Sequence, residues 1–373
     1  MKIVLLGTAH PFRGGLASYN ERLAQQFIAE GDDTEIVTFK LQYPEFLFPG
    51  KSQYTDAPPP KNIKITRLLN SINPFNWITT ARYIVNLKPD ILVIKYWHPS
   101  MAPCFGSVAR IVKRKSKKTR VVCIFDNVIS HEEKFGYKLL TKYFTKCIDG
   151  AIVMSKSVGK DLAKFRTDIQ PVFNPHPIFD NYGDIISRDE ALAKHQLPTD
   201  YTYFLFFGFI RAYKGLDLLL QAFSDERFKN KNVKLIVAGE FYEDDAPYKK
   251  IINDNNLNDS VILLDRYIGE DEVASLFCAA SLIVQPYKNA TQSGVTQICY
   301  HFEKPMLVTN VGGLSEIVPD GRCGYVVEPN PTAIANAMIN FLSDGKEAFL
   351  INGIKEEKRR FGWDKMTSSI RKA

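Results

Sequence analysis

Short, continuously apolar runs alternate with amphipathic stretches along this chain, and that alternation constrains the fold more than any other feature. "KIVLLG" leads through a glycine-containing loop into "ASYNERLAQQFIAEG", and "TEIVTF", "DILVIKYW", "VVCIFDN" and "GAIVMSK" follow. A strand that is apolar on both faces has to be covered on both faces, as in a parallel sheet flanked by helices. After "FNPHPIFDNYG", rich in Pro, Asn and Asp, the pattern restarts with "YTYFLFFGFI", "VKLIVAGE", "VILLDRY", "SLIVQPY" and "KPMLVTNVGG". With 373 residues the chain is too long for one ordinary core. The expectation is an α/β protein of two Rossmann-like, doubly wound domains with an interdomain cleft, the first over 1–178 and the second from 179. Ligands in such sheets bind outside the carboxyl ends of the strands.

Charge is uneven along the chain. Residues 1–180 carry 26 Lys and Arg against 15 Asp and Glu, while the remainder carries 22 against 26. The basic half is expected to meet an anionic surface. Its densest run, "RIVKRKSKKTR" at 110–120, reads as a helix end and a turn before "VVCIF"; taken singly it is a solvated face. A phospholipid headgroup layer is the sharper reading, since each cation near such a surface adds about 1 kcal/mol. No aromatic interleaving accompanies the run, so no nucleic-acid partner is expected. The first apolar run is too short for a signal peptide, and no stretch approaches the ~20 residues of a membrane span. Six scattered cysteines without a C-x-x-C pair fit a reducing cytoplasm.

"FLFFGFIRAYKGLDLLLQAF" (204–223) reads as a buried strand, a tight turn and a helix with Leu216, Leu219, Leu220 and Phe223 on one face. Arg211 and Lys214 sit where that helix begins, at the end of its dipole that disfavours cations. An anion makes two cations tolerable there, and a pyrophosphate uses both at once.

These blocks, with "ILLDRYIGEDEVASLFCAASLIVQPY" and "FEKPMLVTNVGGLSEIVPDGRCGYVVEPN", resemble the nucleotide-sugar-binding half of a retaining GT-B glycosyltransferase of family 4. The likeness covers about residues 204–330, and "GTAHPFRGGLASYNERLAQQFIAEG" extends it more loosely to the first half. The resemblance implies an acceptor-side first domain, a nucleotide-sugar-binding domain over 179–358, and a terminal helix (359–373) that crosses back. It places Lys214 on the donor diphosphate. Arg211 substitutes for a family arginine whose place Phe209 holds. Gly14 and Gly15 match the glycine loop that approaches the donor from the opposite domain, and Tyr267 falls in a donor-binding block. Where many relatives carry two glutamates, "PYKNATQSGVTQICYHFEKP" offers Thr291, Gln292, Ser293, Gly294 and Gln297, with spacing one residue short. Amides and hydroxyls there would hold sugar and ribose through neutral bonds. His131, in "FDNVISHE", matches a family histidine near the acceptor and donor sugar; Asn127 and His98 are further acceptor-side candidates. Trp97 reads equally well as core, and "YEDDAP" (242–247) as an exposed loop rather than a metal site.

The implied reaction moves a hexosyl-type sugar from a nucleotide-diphosphate donor to a saccharide or lipid-linked acceptor in glycan or polysaccharide synthesis, with retention. It needs no bound cofactor or metal. The implied setting is cytoplasmic, at the inner face of a membrane. Two alternatives stay open: a degenerate carbohydrate or nucleotide binder, and a Rossmann oxidoreductase, which the lack of G-x-G-x-x-G after "KIVLL" disfavours.

Overall fold

The computed structural model describes residues 1–44, 52–129, 135–229, 231–290 and 293–373. They form two compact units, 1–177 with 362–373, and 178–361.

The first unit holds strands β1 (Lys2–Leu6), β2 (Asp33–Leu41), β3 (Lys64–Asn70), β4 (Ile91–Tyr96), β5 (Arg120–Phe125), β6 (Gly150–Val153) and β7 (Val172–Phe173). All pair in parallel in the order β3-β2-β1-β4-β5-β6-β7. The crossovers are α1 (Gly15–Ala29), α2 (Pro74–Leu87), α3 (Ala102–Lys115), α4 (Tyr137–Thr145) and α5 (Lys156–Ala163). Local chemistry sets their ends. The Asn73 side chain caps α2 by accepting from the Phe75 and Asn76 N–H groups, with Pro74 in the first turn. Lys113, Arg114 and Lys115 occupy the last turn of α3, where the dipole favours cations. Thus the 110–120 run spans a helix end and the first residue of β5, and Lys113 pairs with Asp149.

The second unit runs α6 (Arg188–Lys194), β8 (Thr202–Phe207), α7 (Leu216–Phe223), β9 (Val233–Ala238), α8 (Ala246–Asp254), β10 (Val261–Leu264) and α9 (Glu270–Ala279). It continues with β11 (Leu282–Gln285), α10 (Gly294–His301), β12 (Met306–Thr309), α11 (Leu314–Ile317), β13 (Gly324–Val327), α12 (Pro331–Asp344) and α13 (Glu347–Glu357). Its parallel sheet has the order β10-β9-β8-β11-β12-β13. In each sheet the connections diverge at a central strand pair, β1/β4 in the first and β8/β11 in the second, and such switch points are where open α/β sheets bind ligands. The last helix, α14 (Trp363–Lys372), belongs to the first unit. It buries Trp363, Met366 and Ile370, and its Arg371 pairs with Glu30 and Asp32 beside α1.

The central strands are the apolar runs seen in the sequence; Ile3–Leu6 and Phe204–Phe206, for example, are buried. Three strands escape that reading: β3, β7 and β13. All three are sheet edges, and β3, "KITRLLN", buries only Leu69. An edge strand is covered less completely, so its sequence need not be continuously apolar. Among the described residues no helix is long and apolar enough to cross a membrane.

Candidate active site

The chain leaves β8 at Gly208, whose φ of 102° lies in the left-handed region. A Cβ there would stand 3.0 Å from Lys214 Nζ and 4.0 Å from Val295 Cγ2. Strand end, ammonium group and first turn of α10 therefore converge on one point. Arg211 then opens a single 3₁₀ turn, Ala212–Lys214. The Ala212 N–H donates to Glu243 Oε2 at 2.8 Å, and Tyr248 donates its hydroxyl to the other Glu243 oxygen. Gly215, at φ 70°, starts α7 against the loop after β11; a Cβ would fall 2.0 Å from the Pro286 carbonyl oxygen, so only glycine fits. The Lys288 N–H donates to the Tyr213 carbonyl at 2.7 Å, and Lys288 Nζ pairs with Asp217 at 2.7 Å. The turn after β8 is thus fastened to the loop after β11, across the switch point.

Arg211 and Lys214 are both half-buried. Burial, and then the Arg211 charge, push the Lys214 ammonium down to about 8. Among the described residues no carboxylate pairs with either cation. Their near neighbours are aromatic faces: Arg211 Cζ lies 5.3 Å from the Tyr242 ring centre, and Lys214 Nζ lies 5.7 Å from that of Tyr287. Into this positive region α10 brings the positive end of its dipole. Ser293 caps it, accepting from the Val295 N–H and donating to Gln285 Oε1 at 2.7 Å. Gly294 packs where a Cβ would lie 2.9 Å from the Phe179 ring. The arrangement gathers positive charge at the carboxyl end of the sheet.

The structure brings Arg211, Lys214, Ser293 and Gly294 to one end of one sheet. Gln297, one turn into α10, is 0% exposed, and among the described residues neither of its amide atoms has a hydrogen-bond partner; Gln285 Nε2 is in the same condition. Tyr267, just beyond β10, stacks at 6.3 Å and 29° on Phe209, which itself lies 4.3 Å from Tyr242. An aromatic cluster therefore fills the place of the family arginine. His131, Thr291 and Gln292 lie outside the described residues.

Sequence reasoning misses Tyr242 and Glu243, read as part of an exposed loop, and Tyr287. Their position directly after β9 and β11, at carboxyl ends, is the signal that could have found them. The other acids of that loop serve local structure: Asp244 accepts from the Ala246 N–H, and Asp245 pairs with Lys249. Among the described residues no cluster of three His, Cys, Asp or Glu could hold a metal ion.

In the first unit, Gly14 has φ 96° and Gly15 is the first residue of α1. Asn127 is half-buried beyond β5. His98 follows β4 and uses Nδ1 to accept from the Ser100 N–H at 3.2 Å. Trp97 packs on Phe39 and Phe105 and donates to the Tyr43 hydroxyl at 2.9 Å. A further buried polar group lies within β4 itself. Lys95, 3% exposed, pairs with Asp126 at 2.6 Å, and its Nζ lies 3.5 Å from the Tyr19 ring centre. Buried His176 meets the same ring at 5.0 Å; burial and the Lys95 charge push its imidazole down to about 3.

The family profile Glycosyl transferases group 1 matches residues 201–344. An "uncharacterized glycosyltransferase" of Methanocaldococcus jannaschii is 34% identical over 383 residues, spanning 100% of this chain and 97% of its own. A D-inositol 3-phosphate glycosyltransferase of Streptomyces avermitilis is 29% identical over 208 residues, 53% of this chain and 45% of that relative. Among solved structures, sucrose-phosphate synthase from Thermosynechococcus elongatus superposes with a TM-score of 0.77 at 17% identity, over 100% of this chain and 99% of its own. Anabaena HepE in complex with UDP superposes with a TM-score of 0.74 at 14% identity, over 100% and 99%. The structural neighbours share the two-sheet GT-B fold, and the full-length relative supplies the rest: this chain belongs to the group 1 glycosyltransferases.

Proposed function

We propose that the protein is a retaining, family 4 hexosyltransferase that takes its sugar from a nucleotide-diphosphate donor. The observation that carries this reading is the pair Arg211 and Lys214, half-buried at the β8/β11 switch point with no carboxylate partner among the described residues. Negative charge grows on the diphosphate as its bond to the anomeric carbon breaks. Cations and a helix start already in place stabilise that charge without reorganising. The acceptor hydroxyl oxygen bonds to the same face of the anomeric carbon, and its proton passes to the departing phosphate oxygen. No carboxylate nucleophile is assigned.

In this reading Ser293, Gly294, Thr291 and Gln292 serve the donor sugar and diphosphate, Gln297 the ribose side, and Tyr267 the nucleotide. Donor contacts are likewise assigned to Gly14 and Gly15, a catalytic role beside donor sugar and acceptor to His131, and acceptor-side roles to Asn127 and His98. Neighbours solved with UDP, such as Anabaena HepE, support a nucleotide donor. The basic excess of the first unit supports a saccharide or lipid-linked acceptor presented at the anionic, cytoplasmic face of a membrane. The test is incubation with UDP-, GDP- and ADP-sugars while following nucleoside diphosphate release, after a thermal-shift panel has chosen the base. Release by the native protein that falls about a hundredfold in Lys214→Ala supports the proposal. Binding without release of any nucleoside diphosphate makes the protein a binder instead.

A further inference from the structure

The helix α4 carries a face that the chemistry above does not use. Thr141, Phe144 and Thr145 are its buried side. Leu139, on the outer side, is 70% exposed, and Phe135, just before the helix, is 105% exposed. At 3.6 residues per turn, Lys138, Leu139, Lys142 and the following Lys146 share an arc of about 100°. No acidic residue occurs between 135 and 148. Phe135 and Leu139 also line a cavity of about 480 Å³, together with Pro99, Val128, Ile129 and Phe165.

Each rival occupant fits this chemistry less well. A merely solvated helix has lysines but no reason to expose Phe and Leu together over an apolar cavity. A protein interface depletes lysine at its centre. An interfacial helix at a bilayer has both features at once: apolar side chains at the headgroup–acyl boundary and lysines among the phosphates.

Position separates this face from the 110–120 run. α4 follows β5, so Phe135 and Leu139 stand at the carboxyl end of the first sheet, with His98 and Asn127. The 110–120 run ends at the first residue of β5, the opposite edge, and its Lys113 is already paired with Asp149. We infer that the α4 face is the surface by which the first unit docks on an anionic lipid bilayer. The inference rests on the reading that the acceptor is presented at a membrane, and it needs nothing from the donor site.

The test is sedimentation with vesicles of equal parts phosphatidylglycerol and phosphatidylcholine at low salt, with thermal melting as a check on folding. The native protein binds, and binding weakens as salt shortens the Debye length from ~10 Å at 0.1 M. Phe135→Ser with Leu139→Ser lowers the partition coefficient about tenfold or more. Lys142→Gln and Lys146→Gln each lower it about fivefold, whereas Lys117→Gln with Lys118→Gln leaves it within about twofold. Donor hydrolysis without vesicles is unchanged in all of these variants. No binding by the native protein at low salt overturns the inference, as does full binding by the Phe135/Leu139 variant or loss confined to the 117/118 variant. A lipid-free dimer that the Phe135/Leu139 variant dissolves makes a second copy the occupant and also overturns it. Vesicle binding without turnover of any nucleotide sugar sinks the enzymatic reading alone.

Discussion

Lys95 and Lys214 are both withdrawn from water, but into opposite charge environments. Lys95 sits inside the first sheet with Asp126 at 2.6 Å and the Tyr19 ring beneath it. Burial lowers its affinity for a proton, and Asp126 restores part of it. Lys214 sits at the end of the second sheet with the Arg211 cation as its charged neighbour, and burial and that charge both lower its affinity for a proton. A buried ion pair with its counter-charge in place is complete, and removing one member leaves the other stranded. Two adjacent cations with no carboxylate partner among the described residues leave their charge unmatched. Burial alone therefore does not separate these two lysines; the sign of the charged neighbour does.

That contrast breaks most visibly on stability. Lys95→Met removes the buried cation that pairs with Asp126 and should cost about 3–5 kcal/mol of unfolding free energy, read by chemical denaturation. If the variant is as stable as the native protein, the pair is not structural and the contrast fails.

Lys214→Ala should do the reverse. Turnover drops by on the order of a hundredfold or more, the scale of losing one transition-state donor, while the melting temperature is held or rises. Arg211→Ala behaves similarly, and Phe209→Arg is not required for activity. Full activity in both alanine variants would remove the diphosphate assignment.

Proton linkage sharpens the comparison further. Lys214 titrates at about 8 in the free protein, against about 10.4 unfolded. The unfolded chain binds more protons between those values, so this group's contribution to stability rises with pH through that window. A bound diphosphate requires the ammonium form. Above pH about 8, nucleoside diphosphate binding should therefore take up a proton, and affinity should fall by up to about tenfold per pH unit. Calorimetry in buffers of different ionisation enthalpy reads the uptake; a pH-independent affinity between 7 and 10, both rough bounds set by these pKa values, contradicts it.

The smallest effect concerns Gln297. Its amide is buried with neither atom bonded among the described residues, so Gln297→Leu should be neutral or stabilising to the ligand-free protein. If the amide serves the donor, the same change weakens donor binding by about 0.5–1.5 kcal/mol. A stabilised variant that binds the donor with native affinity would show the amide to be mere unfavourable packing.

How much of this is visible in the chain itself depends on what each residue needs from its surroundings. The central strands announce themselves because burial on both faces demands unbroken apolar runs. The edge strands β3, β7 and β13 do not, since partial cover tolerates sequences like "KITRLLN". Arg211 and Lys214 are legible because the strand, glycine and helix that position them are contiguous. Glu243 is not: its role depends on a hydrogen bond to Ala212, thirty-one residues earlier. Lys95 is conspicuous in "DILVIKYW", but its meaning waits on Asp126, which the sheet alone brings beside it. The place of Gln297 in the motif is readable, whereas its complete burial comes from the packing around α10.

The position of α14 bears on how the protein is made. The first unit's seven strands leave the ribosome early, but the helix that covers Tyr19 and binds Glu30 and Asp32 comes after all of the second unit. At ~5–20 residues per second, roughly 10–40 s separate the two events. During that interval the second unit can finish folding while the first still exposes the apolar strip that Trp363, Met366 and Ile370 will cover. The domain begun first is completed last, and for that time it is the part of the nascent chain most in need of a chaperone.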